Sequence, residues 1–231
     1  LLECEKDLAP YVYAELRKRL KQDDIRCVYL DGRPRQDDQQ EVMAGLVGTM
    51  IAQLRDAVRG GGLERKVVVL PHLDLLTPSQ GGLTAEAKEV IPLLYENPEI
   101  VWLGFKDPSF GVPQVIRNFF PKQQQLLGIP RDRLRFLVTQ KESRKFGRKF
   151  NAWGLYKYVS GMNAVRLRKL LSSLEGEDYP ADPRRAYLQI RHATSGGQLE
   201  VPVVDLENDI GGYAKVKRRL KSDSILNMRS T

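Results

Sequence analysis

The chain has 231 residues, 42% of them hydrophobic, enough for one large core or two small ones, and its net charge of +8 admits an anionic partner. The basic residues are dispersed among 29 acidic ones with no long basic block, a pattern that favours a solvated surface over a dedicated nucleic-acid face. No apolar run is long enough to suggest a membrane span, the opening LLECEKDLAP lacks signal-peptide order, and two cysteines (Cys4, Cys27) with two histidines (His72, His192) argue against a disulfide scaffold or a zinc site, so a reducing, cytoplasmic setting without membrane contact is expected.

In chain order, Asp7 to Gln22 reads as a helix, with Leu8, Val12, Leu16 and Leu20 at helical spacing. Arg26 to Leu30 (RCVYL) is a short apolar run that stops at Asp31-Gly32 and reads as a buried strand. Gln39 to Val58 repeats the helical pattern at Val42, Leu46, Met50 and Leu54, and a turn at Gly60-Gly61-Gly62 follows. The clearest strand is Lys66 to Leu70 (KVVVL). It is continuous and β-branched, which suits a parallel strand covered on both faces. A loop with Gly81-Gly82 leads to a helix over Thr84 to Tyr95. Ile100 to Phe105 (IVWLGF) is a third strand, closed by Asp107-Pro108, and Val112 to Phe119 is a short helix. Arg135 to Thr139 (RFLVT) reads as a fourth strand.

Strands alternating with helices predict an α/β domain with a mainly parallel sheet over residues 1–140. Residues 141–176 carry only helical signals and read as a small all-helical subdomain. Residues 177–208 form a linker with a strand pair around Gly196-Gly197, and a basic helix over Tyr213 to Lys221 lies in the last segment, 209–231.

Such an order of parts suggests a nucleoside triphosphatase, and phosphate chemistry is the test. A phosphate loop needs glycines that let backbone N–H groups surround the phosphates, a Lys for the β/γ-phosphates and a Ser or Thr for Mg²⁺. No G-x-x-x-x-G-K-[ST] occurs in the chain. The opening L-L-E-C-E-K-D-L-A-P-Y-V-Y-A-E-L nevertheless resembles the phosphate-loop segment of classic AAA+ ATPases, L-L-x-G-P-P-G-T-G-K-T-x-L-A. The loop then falls on Cys4, Glu5, Lys6, Asp7, Leu8, Ala9, Pro10 and Tyr11, with Pro10 in place of Lys and Tyr11 in place of Ser or Thr. Glu5 and Asp7 bring negative charge to a site meant for phosphate.

Leu70-Pro71-His72-Leu73-Asp74-Leu75-Leu76 resembles the family's I-D-E-L-D-A-L, in which the first Asp serves Mg²⁺ and the Glu polarises water. Pro71 and His72 replace both, and Asp74 matches the family's structural Asp. Asp107 takes the place of the sensor Asn in I-G-A-T-N-R. VSGMNAVRLRKLL from Val159 resembles the lid segment S-G-A-D-L-x-x-L. Asp209-Ile210-Gly211-Gly212-Tyr213 resembles D-I-G-G-L, which commonly opens an AAA module.

The resemblance implies a P-loop NTPase-like sheet with flanking helices followed by a helical lid. It also implies a degenerate first module of a tandem AAA protein, running into the start of a second. Such a module has no catalytic residue and no metal site, and holds no cofactor strongly; ATP and Mg²⁺ belong to the full-length protein. Its expected role is ring assembly, as a homo-oligomer and a hexamer by resemblance, or regulation of a machine that remodels a protein substrate. Arg117, Arg131, Arg133 and Arg135 fall in or after the region where the family places arginine fingers; the finger pattern itself is not well matched, and they read as solvated or interface arginines, with Arg117, Arg131 and Arg133 the interface candidates.

Four other readings stay open. His72 could be a general base, although it has no evident partner. Asp74, Glu86 and Glu89 could serve a hydrolase only if two acids were held together. Phe146, Phe150, Trp153, Tyr156 and Tyr158, interleaved with Lys145, Arg148, Lys149 and Lys157, could stack on nucleic acid, against the alternative that they are packed in the lid core. An atypical phosphate loop that still binds ATP is the remaining alternative.

Overall fold

The computed structural model describes residues 1–33, 45–60, 65–78, 82–159, 161–194, 211–220 and 222. The readings at 34–44, Gly61-Gly62, Gly81, Gly196-Gly197 and Asp209-Ile210 lie outside these residues. The chain divides into two compact units, Leu1–Ile190 and Arg191–Thr231.

The first unit is built on five parallel strands: β1 (Leu2–Glu3), β2 (Arg26–Tyr29), β3 (Lys66–Leu70), β4 (Val101–Lys106) and β5 (Gln124–Gln125). Their order across the sheet is β2-β3-β4-β1-β5. Helices α1 (Ala9–Gln22), α2 (Gly45–Arg59), α3 (Leu73–Leu76), α4 (Ala85–Tyr95) and α5 (Gln114–Phe119) alternate with the strands.

β3 shows why the sheet is covered on both faces. Its side chains alternate in direction. Val68 and Leu70 enter a cluster with Met50, Ile51 and Leu54 of α2, Val90 and Leu94 of α4 and Ile116 of α5. Val67 and Val69 enter another with Cys4 and Phe105, against Val12, Leu16 and Leu20 of α1. All four residues are buried, which requires an uninterrupted apolar run rather than an alternating one.

The expected strand over Arg135 to Thr139 is instead a 3-10 turn, Leu134–Phe136. Phe136 N–H donates to Arg133 O at 3.0 Å and Leu137 N–H to Leu134 O at 3.0 Å, so these backbone groups close locally and leave no ladder to join. Leu134 is buried while Phe136 is 67% exposed. Thr139 starts the next helix with a full capping box to Glu142. The remaining strand is the short polar edge β5, whose register on β1 sets Leu2 beside Gln124.

Four helices follow: α6 (Gln140–Arg144), α7 (Ala152–Val159), α8 (Ala164–Ser172) and α9 (Arg184–Thr194). Their apolar residues recur at helical spacing, as in Leu155 and Val159, Leu167 and Leu171, Ala186 and Ile190. These close a third cluster with Phe146, Leu134 and Ile129, so two residues that precede the change of composition at residue 140 pack with the later helices. In the second unit the described residues include α10 (Ala214–Leu220), with Lys217, Arg218 and Arg219 in its last turn.

Candidate functional site

Open parallel sheets bind ligands at the carboxyl ends of their strands. β4 pairs with β1 on one side and β3 on the other, so the chain leaving all three strands meets at one edge. Cys4 to Asp7 leave β1, Pro71 to Asp74 leave β3, and Asp107 leaves β4.

Lys6 joins these three ends. Its backbone N–H donates to Asp107 Oδ2 at 3.1 Å. Its Nζ lies 2.5 Å from Asp74 Oδ1, 3.4 Å from Pro71 O and 3.3 Å from His72 Nδ1. Asp74 is fully buried on the single turn of α3, and its Oδ2 accepts from Asp107 N at 3.4 Å. The ammonium is therefore the counter-ion of a buried carboxylate, and both are held by strand ends of the same sheet.

The backbone of the loop is also engaged. Cys4 N–H donates to Lys106 O at 2.9 Å, and Leu8 and Ala9 N–H both donate to Glu5 O at 3.0 and 3.1 Å. Tyr11 and Val12 N–H donate to Leu8 O. Pro10 has no N–H and sits in the first turn of α1, and Tyr11 beside it is 65% exposed. A phosphate cradle requires several convergent free N–H groups; here five donors between Cys4 and Tyr11 already have protein acceptors, and Pro10 supplies none.

The electrostatics follow from burial. The Cys4 thiol is buried and pushed up to about 11, so it stays protonated. Burial, then the Lys6 charge, lowers His72, which keeps its ring neutral beside the ammonium. Burial alone would raise Asp107, but hydrogen bonds from Ser109 and from Lys6 N–H outweigh it and hold the carboxyl below its ordinary value. Neutral His72 has an ammonium rather than a carboxylate at its Nδ1, which is a poor arrangement for a general base.

Glu5 and Asp7 turn away from this cluster to α8. Asn163 Nδ2 donates to Asp7 Oδ1 at 2.8 Å and to Glu5 Oε2. Arg166 lies 3.2 Å from Glu5 Oε1 and 3.5 Å from Asp7 Oδ2. Asn163 is 1% exposed and is also the N-cap of α8, its Oδ1 accepting from Arg166 N–H at 2.9 Å. Neither Asn163 nor Arg166 was singled out in the sequence. Both lie inside the segment starting at Val159, and the acidic loop was the signal that a basic partner was needed.

The other candidates are dispersed. Arg117 is half-buried on α5, and its Nε has no hydrogen-bond partner among the described residues. Arg131 stacks its guanidinium on the Trp153 ring at 3.7 Å, and Arg133 pairs with the neighbouring Asp132. Glu89 pairs with Arg55 at 2.6 Å on the surface, well separated in role from buried Asp74. Phe146 is buried, and Phe150, Tyr156 and Tyr158 pack against the same cluster. That leaves Trp153 as the exposed aromatic of the set, with Arg131 over its ring. Among the described residues no three His, Cys, Asp or Glu side chains gather as a metal site. No described helix is long and apolar enough to cross a membrane.

Five parallel strands flanked by helices, with the polar cluster at their carboxyl ends, define an α/β protein compatible with a P-loop-like fold. No protein-family model matches the sequence, and no curated protein does either. Among solved structures, the chain is similar to one chain of the HORMA:CdnC:Trip13 complex of E. coli MS115-1. The identity is 12%, the TM-score is 0.50, and the match covers 83% of this chain and 72% of that one. At that identity the likeness concerns the fold.

Proposed function

We propose that this chain is a non-hydrolysing AAA+ module that supports ring assembly, or the regulation, of an ATP-driven protein-remodelling machine whose active site lies in a following module. The observation that carries this reading is the state of Lys6. The cation of the loop is bonded to buried Asp74 instead of facing outward to phosphate, while the N–H groups of Cys4, Lys6, Leu8, Ala9 and Tyr11 already have protein acceptors. The residues do not fit Mg²⁺–ATP: Glu5 and Asp7 oppose the charge of the phosphates, and Pro71 and His72 offer no carboxylate to a metal shell. The solved neighbour belongs to a protein assembly, which agrees with a role through protein partners.

Calorimetric titration with ATP and Mg²⁺ tests the reading. No heat of binding is expected. Saturable, Mg²⁺-dependent binding would overturn it and favour an ATP-binding enzyme with an unusual phosphate loop.

A further inference from the structure

We propose that Glu5 and Asp7 form an internal anionic ligand for α8, taking the place of nucleotide phosphates and setting the relation of the sheet to the helical cluster without any nucleotide. This rests on the reading of the chain as a module that does not bind ATP, and adds to it a mechanism by which its shape is fixed.

A helix N-terminus carries partial positive charge and unpaired N–H groups, and it favours anions. In α8 that end is equipped with two side chains that face the loop. Asn163 caps the helix through its Oδ1 and thereby orients its Nδ2 outward. That amide reaches both carboxylates, and the Arg166 guanidinium reaches both as well. Two donors therefore each bridge the same two anions.

The residues involved lie 158 and 156 positions apart, so the contact joins the first loop of the sheet to the helices after it. Burial makes the contact specific. Arg166 is 59% exposed, and on its own its ion pairs would be weakened by solvent. Asn163 is buried, and loss of its acceptors would leave the Nδ2 donors without partners inside the protein. An amide at this position can donate to two carboxylates, whereas an acid would repel them.

A bound phosphate would offer the same negative charge to the same helix end, but only at the occupancy that nucleotide concentration permits. Carboxylates carried by the chain are always present. The lid-like helices are thus latched permanently, and the module gives its neighbours a constant surface through any nucleotide cycle in the rest of the machine.

The test is a distance measurement between spin labels at Lys18→Cys and Ser172→Cys, both exposed positions on opposite sides of the latch, in a Cys27→Ala background. One narrow distance is expected, unchanged by saturating ATP and Mg²⁺. Glu5→Gln with Asp7→Asn should broaden or shift the distribution. Arg166→Gln, a surface substitution that leaves Asn163 in place, should broaden it less and guards against a loop variant that fails to fold. If both variants keep the narrow parental distance, the latch is overturned while the lack of nucleotide binding stands. If ATP shifts the parental distance, the reading of the module itself fails.

Discussion

Lys6 decides what the site can do. Asp74 is fully buried and Lys6 is about one-third exposed, so removing the ammonium strands a carboxylate in the core. Lys6→Met should cost roughly 2–4 kcal/mol, somewhat less than a fully buried broken pair because one partner retains some water. Adding Asp74→Asn should recover part of the loss. Urea unfolding measures both; a Lys6→Met protein as stable as the parent would remove the argument that this cation is committed to the core. His72 predicts a pH effect. Its folded pKa lies below the ordinary value of 6.5, so the unfolded chain binds the proton more tightly. Stability is then full above that value and declines as pH falls from 6.5 toward the folded pKa. Between about pH 7.5 and about pH 5.5 the urea midpoint of the parent should drop more than that of His72→Gln. Equal drops would show that His72 is as easily protonated in the folded protein as in the unfolded chain.

Elements depend on a few enforced junctions. Gly32 follows β2 with φ +73, and a Cβ there would come within 2.4 Å of the Leu46 backbone oxygen. Gln53 of α2 holds the same junction, accepting from Gly32 N–H at 3.1 Å and donating to Arg33 O at 2.8 Å. Gly32→Ala combines left-handed backbone strain with a clash against backbone that cannot rotate away. A loss of about 2–4 kcal/mol is expected, read as a lowered Tm. An unchanged Tm would mean that α2 and the end of β2 are free to separate. The Asp31-Gly32 stop was legible as a turn signal, since glycine before a helix pattern is local information. The run from Arg135 to Thr139 patterns like a strand but is not one, because its four apolar or β-branched residues, Phe136 to Thr139, suit either a strand or a turn over a core. The hydrogen bonds of Leu134 to Leu137 close on their own neighbours, and among the described residues no strand pairs with them.

Across the molecule, the described residues of the first unit form three apolar clusters: two faces of one sheet and one helical core. The latch between the β1 loop and α8 is polar and lies between the sheet and the third cluster. That division explains why the aromatic residues after Phe146 do not form a stacking face. Phe146 contacts Phe150 and Tyr187 at ring distances of 5.0 and 4.9 Å, closing the helical core. The calorimetric and spin-label experiments both act at this scale: one asks whether the sheet edge accepts an outside anion, the other whether it already holds an internal one.

Local chemistry dictates the separate parts. KVVVL has to be a strand covered on both faces, because its apolar side chains point both ways. The stretch from Asp7 to Gln22 has to expose one face, and a loop without its glycines, Lys and Ser or Thr cannot carry phosphate chemistry of the usual kind. What those replacements do is set by packing between distant elements. Lys6 and Asp74 are 68 positions apart, and Glu5 and Asn163 are 158 apart. Strand order, with β4 between β1 and β3, brings the first pair together, and packing of α8 against the loop brings the second. No local spacing encodes either contact, because hydrophobic periodicity specifies which face of an element is buried and leaves open which distant element will cover it.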